Sequence, residues 1–251
     1  MLIKLTYSFD GSKFCGSQSQ PNLKGVEDLL KIALSRVGIF NKIISASRTD
    51  KGVHSLNSIS VVKCPDFWDL LRLKELLNRH TKPFLYIKKI EIADENFHPR
   101  FDAKARSYRY ILNHGKFSPF LSNFCYFYKD IDINLLNYSL KKFEGYNDFG
   151  KFMKVGSDTK NFKRDMIKAY SFKYKNFTII KFKANGFLRS QVRLMVANAL
   201  KEYDYLVNLD LNLLNNKNFI INNSKIFNIN QPITKIPAPP QALYLERIFY
   251  Y

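Results

Sequence analysis

The chain has 251 residues, with 40 Lys and Arg against 21 Asp and Glu, a formal net charge of +19, and 46% hydrophobic residues. Its apolar residues come in short clusters broken by charges, so no run approaches the roughly 18 residues of a membrane span, and Lys4, Ser8 and Asp10 arrive too early for a signal peptide. Three cysteines (Cys15, Cys64, Cys125) and four histidines (His54, His80, His98, His114) lie too scattered for a zinc site or redox pair, which predicts reduced thiols, a cytoplasmic location and no metal.

A positive excess of this size repels itself unless a polyanion neutralises it, and nucleic acid is the usual one. A Lys- and Asn-rich composition bias gives the same number, so charge alone does not decide.

Residues 2–9 alternate as a strand, closed by the Asp10-Gly11 turn. Val26, Leu29, Leu30, Ala33, Leu34 and Val37 follow with helical spacing, Glu27 and Asp28 suit the positive end, and Gly38 suits the C-terminal cap. Short strands are expected over Lys42–Ala46 and Ser58–Lys63. A helix capped by Asp66 should run to about His80, and a strand over Phe84–Ile92. The first hundred residues thus spell β-α-β-β-α-β, the ferredoxin-like arrangement.

The second half repeats this order loosely. Lys104–Asn113 reads as a strand, Leu135–Phe143 as a helix, Lys168–Tyr174 and Thr178–Lys183 as strands, Phe187–Leu200 as a helix and Leu243–Tyr250 as a closing strand. Stretches of about 144–166 and 203–240 read as irregular surface or RNA-facing loops. The expectation is an α+β fold of two ferredoxin-like halves, 1–103 and 104–251, with antiparallel and mixed sheets joined into one around a basic cleft.

The run Ser45-Ala46-Ser47-Arg48-Thr49-Asp50-Lys51-Gly52-Val53-His54-Ser55 leaves a predicted strand and gathers small, polar and oppositely charged residues on one loop. Nearby Arg48 and Lys51 favour an ionised Asp50, as a carboxylate nucleophile requires. An ordinary turn, with Asp50 bonded to backbone N–H groups, is the plain alternative for Asp-Lys-Gly by itself. Alternation puts Arg106, Tyr108 and Tyr110 on one strand face, a candidate floor for stacking a base and holding its phosphate, although alternating aromatics also pack cores. Arg189 and Arg193 stand four apart beside an apolar stripe of Leu188, Val192, Met195 and Ala199. Like charges so placed cost a few tenths of a kcal/mol, which makes most sense if they face anions.

The loop resembles the S/G-R-T-D-x-G-V-H signature of the tRNA pseudouridine synthase A family, which modifies anticodon-arm positions 38 to 40. The likeness extends along nearly the whole chain: Tyr7-Ser8-Phe9-Asp10-Gly11 through Asn22, Phe97-His98-Pro99-Arg100-Phe101 through Tyr110, Asn185-Gly186-Phe187-Leu188 through Val196, and Ala238-Pro239-Pro240 through Leu245. The resemblance implies Asp50 as nucleophile, Tyr108 against the target base and Arg193 as partner of the carboxylate. It further implies RNA contacts among Arg48, Lys51, His54, Arg106, Tyr110 and Arg189, a tRNA substrate bound through its anticodon arm, a homodimer, and no cofactor. The chain departs from the pattern at Ser17, where Trp is usual, at Asn147, and at Ala197-Asn198. Two other readings remain at this point: a non-catalytic RNA-binding protein, and a pseudouridine synthase for another RNA site.

Overall fold

A computed structural model describes residues 1–154, 156, 159–215 and 234–250. In chain order these form β1 (Leu2–Phe9), α1 (Val26–Ser35), β2 (Ile44–Ser45), β3 (His54–Lys63), α2 (Leu70–Thr81), β4 (Leu85–Ala93), β5 (Ala105–Asn113) and β6 (Tyr126–Phe127). There follow α3 (Ile133–Lys141), β7 (Gly145–Asp148), β8 (Lys163–Tyr174), β9 (Phe177–Ala184), α4 (Gln191–Asn215) and β10 (Leu243–Phe249). The fold is α+β, as expected. The chain divides into two compact units, Met1–Tyr108 with Pro240–Tyr251, and Arg109–Pro239. The expected boundary at 103/104 leaves the closing strand in the second half; the contacts instead divide the chain within β5 and return the C-terminal strand to the first unit.

In the first unit β1 is central, antiparallel to both β3 and β4, with Leu5 opposite Ser60 on one side and Ile90 on the other. Period-two alternation sends Ile3, Leu5, Tyr7 and Phe9 to one face. There they pack with Leu30 and Leu34 of α1 and with Leu73 and Leu77 of α2 in a single buried cluster. The free edge of β3 is shared: β2 takes Ser60 and Val61, and β10 pairs in parallel with His54 and Ser55. That second pairing, together with Phe9 of β1 opposite Ser55, carries β3 back to His54 from the expected Ser58. The partner strand comes from some 190 residues away, beyond the reach of local pattern.

The helix starts are set by short polar side chains. Asp28 accepts the Gly25 N–H at 2.8 Å and the Gln20 N–H at 3.0 Å, and Ser19 donates to its other oxygen. Burial opposes its charge, but these hydrogen bonds outweigh burial and hold the carboxyl below its ordinary value. The cap of α2 is Asp69, which accepts from Arg72 N–H at 2.7 Å, and not Asp66, which pairs with the terminal ammonium of Met1. Asn78, buried on α2, donates to Ile87 O at 2.9 Å and accepts from Ile87 N–H at 2.7 Å, tying that helix to β4.

In the second unit β7, β8 and β9 run antiparallel, and α3 lies on β8, where the Asn137 side chain bridges the backbone N–H and C=O of Ser171. Pairing with β7 carries β8 back to Lys163, inside the stretch expected to be irregular. The largest correction concerns α4, which runs over Gln191–Asn215 where a helix over Phe187–Leu200 was expected. Ser190 takes a left-handed φ of 57°, which keeps residues 187–190 out of the helix. Beyond Leu200 the helix persists because Tyr203 and Leu206 are buried and Asp204 is held by Tyr128 Oη at 2.8 Å and Lys129 at 2.8 Å. Residues 216–233 of the expected irregular stretch lie outside the described residues. No described helix is long and apolar enough to cross a membrane.

Candidate active site

The loop from Ala46 to Val53 joins β2 to β3 and is held backbone to backbone by residues 11–17 of its own unit. Ser17 N–H donates to Thr49 O at 3.1 Å, and Thr49 N–H donates to Ser17 Oγ at 2.8 Å. The small residue at 17, where the family pattern has Trp, therefore closes a reciprocal pair on the residue next to Asp50. Gly52, at a φ of 82°, lets Val53 N–H reach back to Asp50 O at 3.2 Å. Gly11 is set more tightly still: a Cβ there would lie 2.0 Å from Val53 O.

Arg106, on β5, anchors the stem of the loop. Its Nε donates to Ser47 Oγ at 3.3 Å, and its Nη2 donates to Ala46 O at 3.4 Å and Arg100 O at 2.8 Å. Burial lowers its pKa from the ordinary guanidinium value. Two residues along the same strand face, Tyr108 is 7% exposed. Burial pushes its phenol up to about 12, the Arg106 charge opposes the rise, and the Asp50 charge adds to it. Asp50, half-buried, thus lies within electrostatic reach of the Tyr108 ring. The first unit brings together a carboxylate on a pinned loop, a neutral phenol and a guanidinium.

Of the remaining first-unit candidates, Lys51 is exposed. Arg48 is exposed too, and its Nε and Nη2 reach Gln18 at 3.0 and 3.3 Å once the Gln18 amide is turned to present its oxygen to these donors. His54 lies deeper. It is 2% exposed, its Nδ1 accepts from Gly11 N–H at 3.0 Å, its Nε2 faces Gln241 O at 3.0 Å, and its ring stacks on Tyr244. Both ring nitrogens are engaged inside the unit, so His54 is a strut that joins residues 11 and 241 to the loop.

The second unit holds Tyr110, Arg189 and Arg193. Tyr110 is fully buried and its phenol is raised well above the ordinary value, chiefly by burial. It belongs to the core, the packing alternative for alternating aromatics. Arg189 is exposed, precedes α4, and donates to Gly156 O at 3.3 Å, so the expected i, i+4 helix pair with Arg193 does not form. Arg193, half-buried in the first turn of α4, donates from Nε to Ala238 O at 2.7 Å, while Ala238 N–H returns to Arg193 O at 3.1 Å. One turn on, Asn198 accepts from Thr234 N–H at 2.8 Å and donates to Thr234 O at 3.0 Å, so this departure from the family pattern clamps the incoming C-terminal segment.

Sequence reasoning missed Gly11, Gly16 and Ser17 as supports of the loop. Asp10-Gly11 reads as a mere turn, and only the approach to Val53 reveals why no side chain fits there. Among the described residues no group of three or more His, Cys, Asp or Glu side chains converges as metal ligands.

A pH titration checks the buried phenols. Tyr7, like Tyr108, is pushed up to about 12, chiefly by burial. Unfolded tyrosines ionise near 10. Folding stability from these two groups is therefore complete below about pH 10 and is lost as the pH climbs through about 12. Near-UV phenolate absorbance should show part of the 15 tyrosines titrating late, together with the loss of the fold. Uniform ionisation of the folded protein near pH 10 would contradict the burial of the site.

Residues 5–102 and 140–250 match the family model described as tRNA pseudouridine synthase. A protein of Campylobacter jejuni subsp. doylei named tRNA pseudouridine synthase A is 43% identical over 251 residues, covering 100% of both chains. One of Helicobacter pylori with the same name is 37% identical over 255 residues, covering 98% of each.

Proposed function

The chain belongs to the tRNA pseudouridine synthase family, an isomerase family that converts uridine in tRNA to pseudouridine, and on that basis we propose that it acts on the anticodon stem-loop at positions 38, 39 and 40, with Asp50 as the attacking carboxylate. The observation that carries the assignment to Asp50 is its placement: half-buried on a loop locked by Gly11, Gly16 and Ser17, with its charge felt by the Tyr108 phenol.

Pseudouridine is an isomer of uridine. The N1–C1′ bond breaks, the uracil turns, C5 bonds to C1′, and the C5 proton is lost as N1 gains one, so atoms and electrons balance without a donor. A stacked base is out of reach, and flipping it costs a few kcal/mol. Packing on the Tyr108 ring and phosphate contacts from lysines and arginines such as Arg48 and Lys51 offset that cost. Asp50 opens the reaction either by attack on the sugar or base or by removing a sugar proton; both routes begin at the same carboxylate. The resemblance adds Arg193 as a further catalytic candidate. In this reading Tyr108 packs on the uracil and assists removal of the C5 proton; burial raises its phenol to about 12 in the RNA-free protein. The proposal includes a homodimer working in the cytosol, with one tRNA spanning both subunits.

The test is to incubate the purified protein with unmodified tRNA transcripts and map pseudouridine. Product confined to positions 38 to 40 is the expected result. Product only elsewhere in tRNA overturns the anticodon-arm assignment, and binding without any product favours a non-catalytic RNA-binding protein.

A further inference from the structure

The second unit carries an aromatic and basic sheet face that the catalytic reading does not use. On β8, Tyr170, Phe172 and Tyr174 recur every second residue and are 40%, 40% and 60% exposed. Tyr170 and Phe172 lie nearly parallel, with centroids 6.3 Å apart and planes at 26°. In register, Tyr170 stands opposite Lys181, and Lys168 stands opposite Lys183. These positions share one face, because side chains two apart on a strand, and directly paired ones, point the same way. The intervening residues Ala169 and Ser171 are buried, and Ser171 is bound to Asn137 of α3. The hairpin therefore has a core face under a helix and an opposite face that is exposed along β8 and half-buried at Lys181 and Lys183 of β9.

Single exposed aromatics are ordinary, but three consecutive same-face positions are not; lysines stand at one end, with Lys181 across from Tyr170, while Ile179 and Phe177 stand across from Phe172 and Tyr174. The face carries no carboxylate at these positions, and the exposed Lys168 at its end favours an anionic partner. Flat rings at strand spacing, with cations beside them, suit unpaired nucleotides: bases stack on the rings and phosphates meet the lysines. A protein partner would find apolar rings but would have to desolvate the lysines next to them.

We infer that the β8–β9 face is a second RNA-docking surface, which stacks unpaired nucleotides of the RNA substrate on Tyr170 and Phe172 and holds their phosphates at Lys168 and its neighbours. The inference rests on the RNA substrate proposed above and not on the identity of the nucleophile.

The test is a binding titration of the full chain with a fluorescein-labelled, unmodified tRNA transcript, followed by anisotropy. Tyr170→Ala with Phe172→Ala should weaken binding by about tenfold or more, because a base–aromatic stack is worth about that much. Tyr170→Phe with Phe172→Tyr, which keeps both rings, should restore it. Lys168→Ala should lower the slope of log affinity against log salt by about one phosphate contact. An unchanged affinity in the double alanine variant, with its melting temperature retained, overturns the proposal. Unchanged RNA affinity combined with an altered oligomeric state also overturns it and assigns the face to a contact between subunits. Since binding is the readout, a chain that binds through this face yet makes no pseudouridine would refute the catalytic reading and leave this one standing.

Discussion

Asp50→Ala is expected to lower kcat for pseudouridine formation by on the order of 10^4-fold or more, which corresponds to about 5.5 kcal/mol of lost transition-state stabilisation. Neither group the first unit places with it is a carboxylate: the Tyr108 phenol is pushed up to about 12, and Arg106 is a cation that donates to Ala46, Ser47 and Arg100. Affinity for tRNA should stay within about threefold, since phosphate contacts and not a carboxylate supply it. Tritium release from 5-labelled uridine in tRNA reads the first effect and filter binding the second. A variant that still released tritium at near the parental rate would remove Asp50 from the chemistry. Asp50→Asn, which preserves shape, should be as inactive, and this separates loss of charge from loss of packing.

Gly11→Ala should disable the enzyme from a position outside the loop. The new methyl would sit 2.0 Å from Val53 O, 2.3 Å from Val53 C and 2.9 Å from His54 N, all of them backbone atoms that cannot rotate aside. Either residues 10–12 or the loop must move. Overpacking of this kind costs about 3 kcal/mol, which should lower the melting temperature by roughly 6–12 °C. Displacing a reacting group by even about 1 Å can cost about 100-fold in rate, and a loss of that size in kcat is expected from whatever fraction remains folded. Gly38→Ala is the comparison. Gly38 has a φ of 78°, and a methyl there would meet nothing within 4 Å, so alanine brings backbone strain of about 1 kcal/mol without touching the loop, and activity should persist. Parental activity in Gly11→Ala would mean that the loop is not rigidly held.

Much of this molecule was written in local sequence. The strands β1 and β4, the helices α1, α2 and α3, and the α+β class follow from periodicity, because each element buries one face and its spacing records which. The Arg-Thr-Asp loop was legible for the same reason in reverse: small, polar and charged residues together have no packing purpose. Tertiary contacts decided the rest. His54 reads as a loop polar residue, yet β10 arrives beside it and buries it. Tyr110 reads like Tyr108, yet it sinks into the core while Tyr108 feels the charge of Asp50. The chain from 203 on reads as the start of an irregular, Asn-rich stretch, yet Tyr128, Lys129 and Asp132 hold Tyr203 and Asp204 within a helix that runs to Asn215. For His54 and for Tyr203 and Asp204 the deciding partner lies about 70 to 190 residues away, and a pattern read within one or two turns of chain carries no record of a neighbour that distant.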